Sequence, residues 1–179
     1  MSEQYQVVGK GLRFVFFGEV VAIIALFLSR LSIIGPILSA LAQVLVLVGL
    51  YTAGKANPGL RTAFLVAMVN LVVAVITIFL PFATALSTLL KAVEVYFICS
   101  RTAELLTEKE NKRLASRGQK LWKVYVGCVV VAMACMALSQ VPVLGLIAAV
   151  VIAVAAVVMV VAYIIYLMFL FQSQEALLQ

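Results

Sequence analysis

Residues 88–97 read TLLKAVEVYF, which places Lys91 and Glu94 three positions apart inside an apolar run of membrane-spanning length. An ionisable group in hydrocarbon costs about 2.5–3.5 kcal/mol on insertion scales, so it must snorkel, find a partner or face water. Lys91 lies halfway along its run, too deep for easy snorkelling. Residues three apart on a helix are neighbours, so Lys91 and Glu94 can neutralise each other within one helix. Ser87 extends the same face toward the other end of the run.

Outward from this stretch, the whole chain repeats the pattern. Of its 179 residues, 66% are hydrophobic and 11% charged, and the mean hydropathy is +1.23. A water-soluble domain must cover its surface with polar groups and cannot have this composition. Apolar runs fall at 12–28, 37–53, 62–80, 82–100, 122–138 and 143–171. About 20 apolar residues suffice to cross a hydrocarbon core of about 30 Å. Backbone groups there must be satisfied within the segment, which requires helices, and the runs lack the alternation of barrel strands. The expected fold is all-α: a single transmembrane domain over residues 1–179, with six helices in three hairpins. LFLSRLS after the first run offers no small-x-small cleavage site, so that run is expected to stay as a helix rather than leave as a signal peptide.

The connections alternate in character. SRLSIIGP, LPF and SQVP are short and together carry one basic residue, Arg30. The N-terminal tail, AGKANPGLR and the connection over 101–121, with Lys123 just beyond it, carry eleven: Lys10, Arg13, Lys55, Arg61, Arg101, Lys109, Lys112, Arg113, Arg117, Lys120 and Lys123. The positive-inside rule puts both termini in the cytoplasm, with the chain in the plasma (inner) membrane. Aromatic residues, among them Trp122, Tyr125, Tyr163 and Tyr166, read as an interfacial belt at the same end. The net charge of +6 is thus a topology signal, and no nucleic-acid partner is expected.

A repeat is visible at a shift of 48, where GLR at 11–13 recurs at 59–61, and VFFGEVV from Val15 resembles VYVGCVV from Val124. Tandem hairpins of one orientation would form a parallel repeat. Gly145, Ala149 and Ala153 make a small-xxx-small pattern suited to close helix packing.

Polar residues inside the runs nominate a site. Glu19 occupies the inner third of the first run, near the depth of Glu94, while Gln43 and Asn70 fall near the midplane with Lys91. Converged, Glu19, Gln43, Asn70, Lys91 and Glu94 would hold two carboxylates and one ammonium, an excess negative charge that a proton or cation would balance. Histidine is absent, and Cys99, Cys128 and Cys135 form no CxxC pair, so no metal or cofactor is expected. No HExxH, GxSxG or phosphate-binding loop occurs, and the chain is not expected to be an enzyme.

The connection TEKENKRLASRG reads as a short cytoplasmic helix with a capping box, Thr107 with Glu110, ending at Gly118. Its cluster of Lys109, Lys112, Arg113, Arg117, Lys120 and Lys123 is expected to meet anionic lipid headgroups. Three functions fit: a small proton- or cation-linked transporter, an accessory subunit of a membrane complex (with a partner subunit or as a homo-oligomer), or a solute-binding subunit of a larger transporter. For the last, the chain resembles the substrate-binding subunits of energy-coupling-factor vitamin transporters in size, six spans and cytoplasmic termini. Ala22 and Ala25 do not reproduce that family's AxxxA spacing, and the outward connections are short, so the resemblance is one of layout.

Overall fold

A computed structural model describes residues 2–28, 34–77, 79–80, 83–138 and 145–179. The three short breaks lie largely outside the described residues, and Arg30 lies there with them. Among the described residues every regular element is a helix: α1 (Ser2–Leu28), α2 (Ile34–Ala56), α3 (Pro58–Ile76), α4 (Ala83–Glu108), α5 (Lys112–Leu138) and α6 (Gly145–Leu178). All six are long and apolar enough to cross a membrane. Even the shortest, α3 with 19 residues, rises about 28 Å at 1.5 Å per residue. The surface matches lipid rather than water: Leu26, Phe27 and Phe79 are 71%, 74% and 78% exposed, which no soluble monomer sustains over so wide an area.

Neighbours in sequence pack side by side, and α6 closes back on α1, so the six helices form a ring. α4 also touches α6. The α1–α2 contact is the most intimate, and glycine is the reason. A Cβ on Gly11 would lie 2.6 Å from the Gly49 carbonyl oxygen, and one on Gly49 would lie 2.6 Å from that of Gly11. One on Gly18 would meet Val46 Cγ2 at 2.7 Å. Small residues let membrane helices approach backbone to backbone.

The helices run past the apolar runs at the basic end. α1 begins at Ser2, where the sequence predicts a polar tail, and α6 continues to Leu178 through QSQEALLQ. Packing explains both extensions. Val8 and Leu177 are buried in one core cluster, and Gly9 sits against Leu178 and the Gln174 carbonyl oxygen. Hydropathy marks the stretch in lipid, whereas apolar burial between the first turns of α1 and the last of α6 keeps both helical beyond it.

The link between α2 and α3 is a single residue. Asn57 caps α3, its Oδ1 accepting from the Gly59 and Leu60 amides at 2.8 and 3.3 Å, and Pro58 stands at the first helical position, where its missing N–H is harmless. The connection over 101–121 departs from expectation. No separate helix forms: α4 runs through Thr107 to Glu108, and α5 starts at Lys112. The Thr107 hydroxyl donates back to the Ala103 carbonyl (2.8 Å) instead of capping. The Glu110 amide bonds the Thr107 carbonyl at 3.0 Å and the Asn111 amide bonds that of Leu106 at 2.8 Å, a Schellman closure with Glu110 in the left-handed position at φ 61°. Gly118, predicted as the terminal glycine, lies inside α5, where a Cβ would meet Phe169 Cζ at 2.6 Å.

The shift of 48 persists in burial between the first two hairpins: Leu12, Val15 and Glu19 of α1 and Leu60, Ala63 and Ala67 of α3 are all buried. The third hairpin departs from it. Gly18 is packed, whereas Gly127, its counterpart in VYVGCVV, faces open space. Ala149 and Ala153 are exposed, so these two members of the small-residue pattern do not pack within the chain, while the surroundings of Gly145 lie outside the described residues.

Two substitutions test these junctions by thermal unfolding in mild detergent. Gly11→Ala is expected to cost about 1–3 kcal/mol through overpacking against Gly49. Glu110→Gly is expected to stabilise by up to about 1 kcal/mol, because glycine adopts the left-handed conformation without a Cβ clash. A neutral Gly11→Ala or a destabilising Glu110→Gly would contradict the packing and the turn respectively.

Candidate functional site

Three polar side chains of α4, Ser87, Lys91 and Glu94, follow one another at spacings of four and three and so share a face. On α1, Leu12, Val15 and Glu19 form the corresponding stripe, and all three are buried. Gly18, one residue before Glu19, is pressed against Val46 and the Ala42 carbonyl of α2. That contact fixes the rotation of α1 and turns Glu19 into the ring.

Lys91 Nζ donates to Glu19 Oε1 at 2.8 Å and to Glu94 Oε1 at 3.0 Å. In the ring α1 is flanked by α2 and α6, not by α4, so the Lys91–Glu19 contact crosses the middle of the bundle. From α6, the Tyr163 hydroxyl donates to the other oxygen of Glu19 at 2.5 Å. The glutamate side chains are 3% exposed and that of Lys91 is 27% exposed. Both carboxylates are therefore sealed, and the lysine forms the more open wall of the cluster. Tyr125 of α5 and Tyr166 of α6 lie within electrostatic range of Glu19 and Glu94.

The remaining expected members take other places. Asn70 is buried on α3, and its Oδ1 accepts from Ser87 at 2.8 Å. It joins α3 to α4 one helical turn from Lys91. Gln43 is half-buried on α2, a helix that packs on α1 and α3, and makes no hydrogen bond to the cluster. The structure thus unites Glu19, Lys91 and Glu94, sets Asn70 beside them through Ser87, and leaves Gln43 out.

Tyrosine is what the sequence reading misses. It draws no member of the cluster from the third hairpin and assigns Tyr125, Tyr163 and Tyr166 to the interface. Instead Tyr166 is fully buried and Tyr163 bonds Glu19. The available signal is the length of α6: its end at Leu178 puts Tyr163 about four turns inside the helix.

Among the described residues, four buried side-chain atoms have no hydrogen-bond partner: Tyr166 Oη, Thr102 Oγ1, Ser173 Oγ and Gln174 Oε1. All belong to α4 and α6, on the basic-end side of Glu94 and Tyr163. Buried polar groups of this kind are normally satisfied by water. Among the described residues no three His, Cys, Asp or Glu side chains gather to hold a metal ion.

The six basic residues of the connection divide. Lys112, Arg113, Arg117, Lys120 and Lys123 stand exposed along α5. Lys109 is committed elsewhere, its Nζ donating to the Ala176 carbonyl at 3.0 Å and lying 5.4 Å from the Tyr5 ring centroid. Compared with protein-family profiles, characterised proteins and solved structures, the chain matches none.

Removing one member of a buried ion pair strands the other. Lys91→Met is expected to lower the unfolding free energy by roughly 3–5 kcal/mol, and Tyr163→Phe by roughly 1.5–3 kcal/mol, the range for a hydrogen bond to a charged group. Gln43→Leu is expected to stay within about 0.5 kcal/mol of the parent. Denaturant titration in detergent checks this order; a Lys91→Met as mild as Gln43→Leu would refute the cluster.

Proposed function

We propose that the protein is a small proton- or cation-linked transporter of the cell membrane, with Glu19, Lys91, Glu94 and Tyr163 as its ion-binding site. The observation that carries this reading is the convergence of two sealed carboxylates on a single ammonium in the middle of a helical ring. With both carboxylates ionised the cluster carries one excess negative charge, which burial makes costly. A proton or a monovalent cation removes it. Among the described residues Glu19 accepts from two donors, Lys91 and Tyr163, whereas Glu94 accepts from Lys91 alone. Glu94 is therefore the carboxylate that exchanges the ion. Water at Tyr166, Thr102, Ser173 and Gln174 would connect the site with the basic end of the bundle.

The charge distribution supports an orientation. Basic residues gather at the end holding both termini and the α2–α3 and α4–α5 connections, and the positive-inside rule favours a cytoplasmic position for that end. Intramembrane ionisable residues that pair and face a bundle interior recur in proton relays and transport pathways.

A second reading has its own support. Ala149 and Ala153 leave a small-residue face exposed on α6, of the kind that packs against another transmembrane helix. It favours an accessory subunit bound to a partner membrane protein or to a second copy. Stoichiometric co-purification of a partner in mild detergent, without ion flux by the chain alone, would support that reading over transport.

Reconstitution into liposomes with an internal pH-sensitive dye tests the transport reading. An imposed ion gradient is expected to drive dye-reported flux that Glu94→Gln reduces at least tenfold. Flux unchanged in a Glu19→Gln/Glu94→Gln double variant would overturn the assignment.

A further inference from the structure

A groove of about 460 Å³ lies between α5 and α6, lined by none of the ion-cluster side chains. Its two ends differ in chemistry. At the basic end stand Arg117, Lys120 and Gln172, and from there the lining is apolar, through Val124 on α5 and from Ile165 to Val158 on α6. Gln172 and Val158 are fourteen residues apart on one helix, which at 1.5 Å per residue is about 21 Å. One leaflet of hydrocarbon is about 15 Å deep. The groove therefore covers the depth of a single leaflet and ends, at its basic end, at headgroup level.

Positive charge is in excess at that end. Among the described residues, Arg101 is the one basic side chain of the connection held in an ion pair, with Glu104 at 2.8 Å. Arg117 Nη1 donates to Gln172 Oε1 at 3.3 Å, a neutral partner that leaves its charge unbalanced. A polar basin of about 380 Å³ adjoins the groove, shares Arg117 and Gln172 with it, and adds Arg113, Glu175 and Gln179. Two guanidinium groups and one ammonium face one glutamate side chain, Glu175, across groove and basin.

We propose that this groove is a binding site for an anionic glycerophospholipid of the leaflet at the basic end. Its phosphate lies between Arg117 and Lys120, one acyl chain lies along α6 toward Val158, and the polar remainder of the headgroup enters the basin beside Gln172 and Gln179. Arginine suits the phosphate because its planar fork donates two parallel hydrogen bonds. Glu175 sets the headgroup class. It repels a second phosphate, so a singly charged headgroup is preferred over a polyphosphorylated one. Charge complementarity at one end and hydrocarbon depth at the other select a lipid over a free anion, which would leave the apolar length unused.

The test uses the full chain purified in mild detergent, with native mass spectrometry and thermal unfolding as readouts. Titration with a phosphatidylglycerol is expected to give a one-to-one complex and a higher unfolding temperature, while phosphatidylcholine of the same acyl composition gives neither. Arg117→Gln/Lys120→Gln is expected to weaken binding roughly thirty-fold, from a factor of about five to six per basic residue. Lys112→Gln/Lys123→Gln removes the same charge outside the groove and is expected to leave binding unchanged. Val161→Phe, which narrows the groove but keeps every charge, is expected to weaken binding as well. Equal stabilisation by both lipids, equal loss in both double variants, full stabilisation by inorganic phosphate, or a polypeptide occupying the groove would each overturn the proposal.

Discussion

An ammonium flanked by two carboxylates, held where water is scarce, is the constraint on which the rest of this bundle depends. Each ion alone is too costly for hydrocarbon, and their mutual attraction offsets desolvation only when geometry and additional hydrogen bonds are good. Lys91 meets that condition with contacts of 2.8 and 3.0 Å, and Tyr163 adds a donor to Glu19 at 2.5 Å. Because Glu19 and Lys91 belong to helices that are not ring neighbours, their bond dictates how α1 and α4 are rotated. It also draws α6 into the same centre through Tyr163.

That rotation is reinforced at the periphery. Gly11, Gly18 and Gly49 bring α1 and α2 together at backbone distance, and Glu19, one residue on from Gly18, is thereby directed inward. Asn70 and Ser87 perform a lesser version of the same task between α3 and α4. At the basic end, apolar burial joins the first turns of α1 to the last turns of α6. Local packing and the central charges thus specify one arrangement, the agreement between levels that marks a well-determined fold.

How much of this could be read in the chain follows from the range of each interaction. The helices are legible because hydrophobic length is a local property, and the basic end is legible because charge in short connections is local too. Lys91 with Glu94 is legible for the same reason, being one turn of one helix. Glu19 was identifiable by its depth, but its partner was not, since spacing along α1 carries no information about α4. Tyr163 was hidden further: a tyrosine near the end of an apolar run looks like an interface anchor until the helix proves to extend to Leu178. The left-handed Glu110 was unreadable because glycine is the usual signal for that position and here stands elsewhere, at Gly118 inside α5.

The proposed function rests on the same charges. A cluster with one more carboxylate than ammonium joins α1, α4 and α6, and the transport reading assigns it one more positive charge. The most direct measurement is a double-mutant cycle between Glu19→Gln and Lys91→Met, read as unfolding free energies in detergent. The two effects are expected to be non-additive by more than about 1 kcal/mol, as for residues in direct ionic contact. Effects that sum to within about 0.3–0.5 kcal/mol, the behaviour of distant sites, would contradict a bond across the centre of the ring.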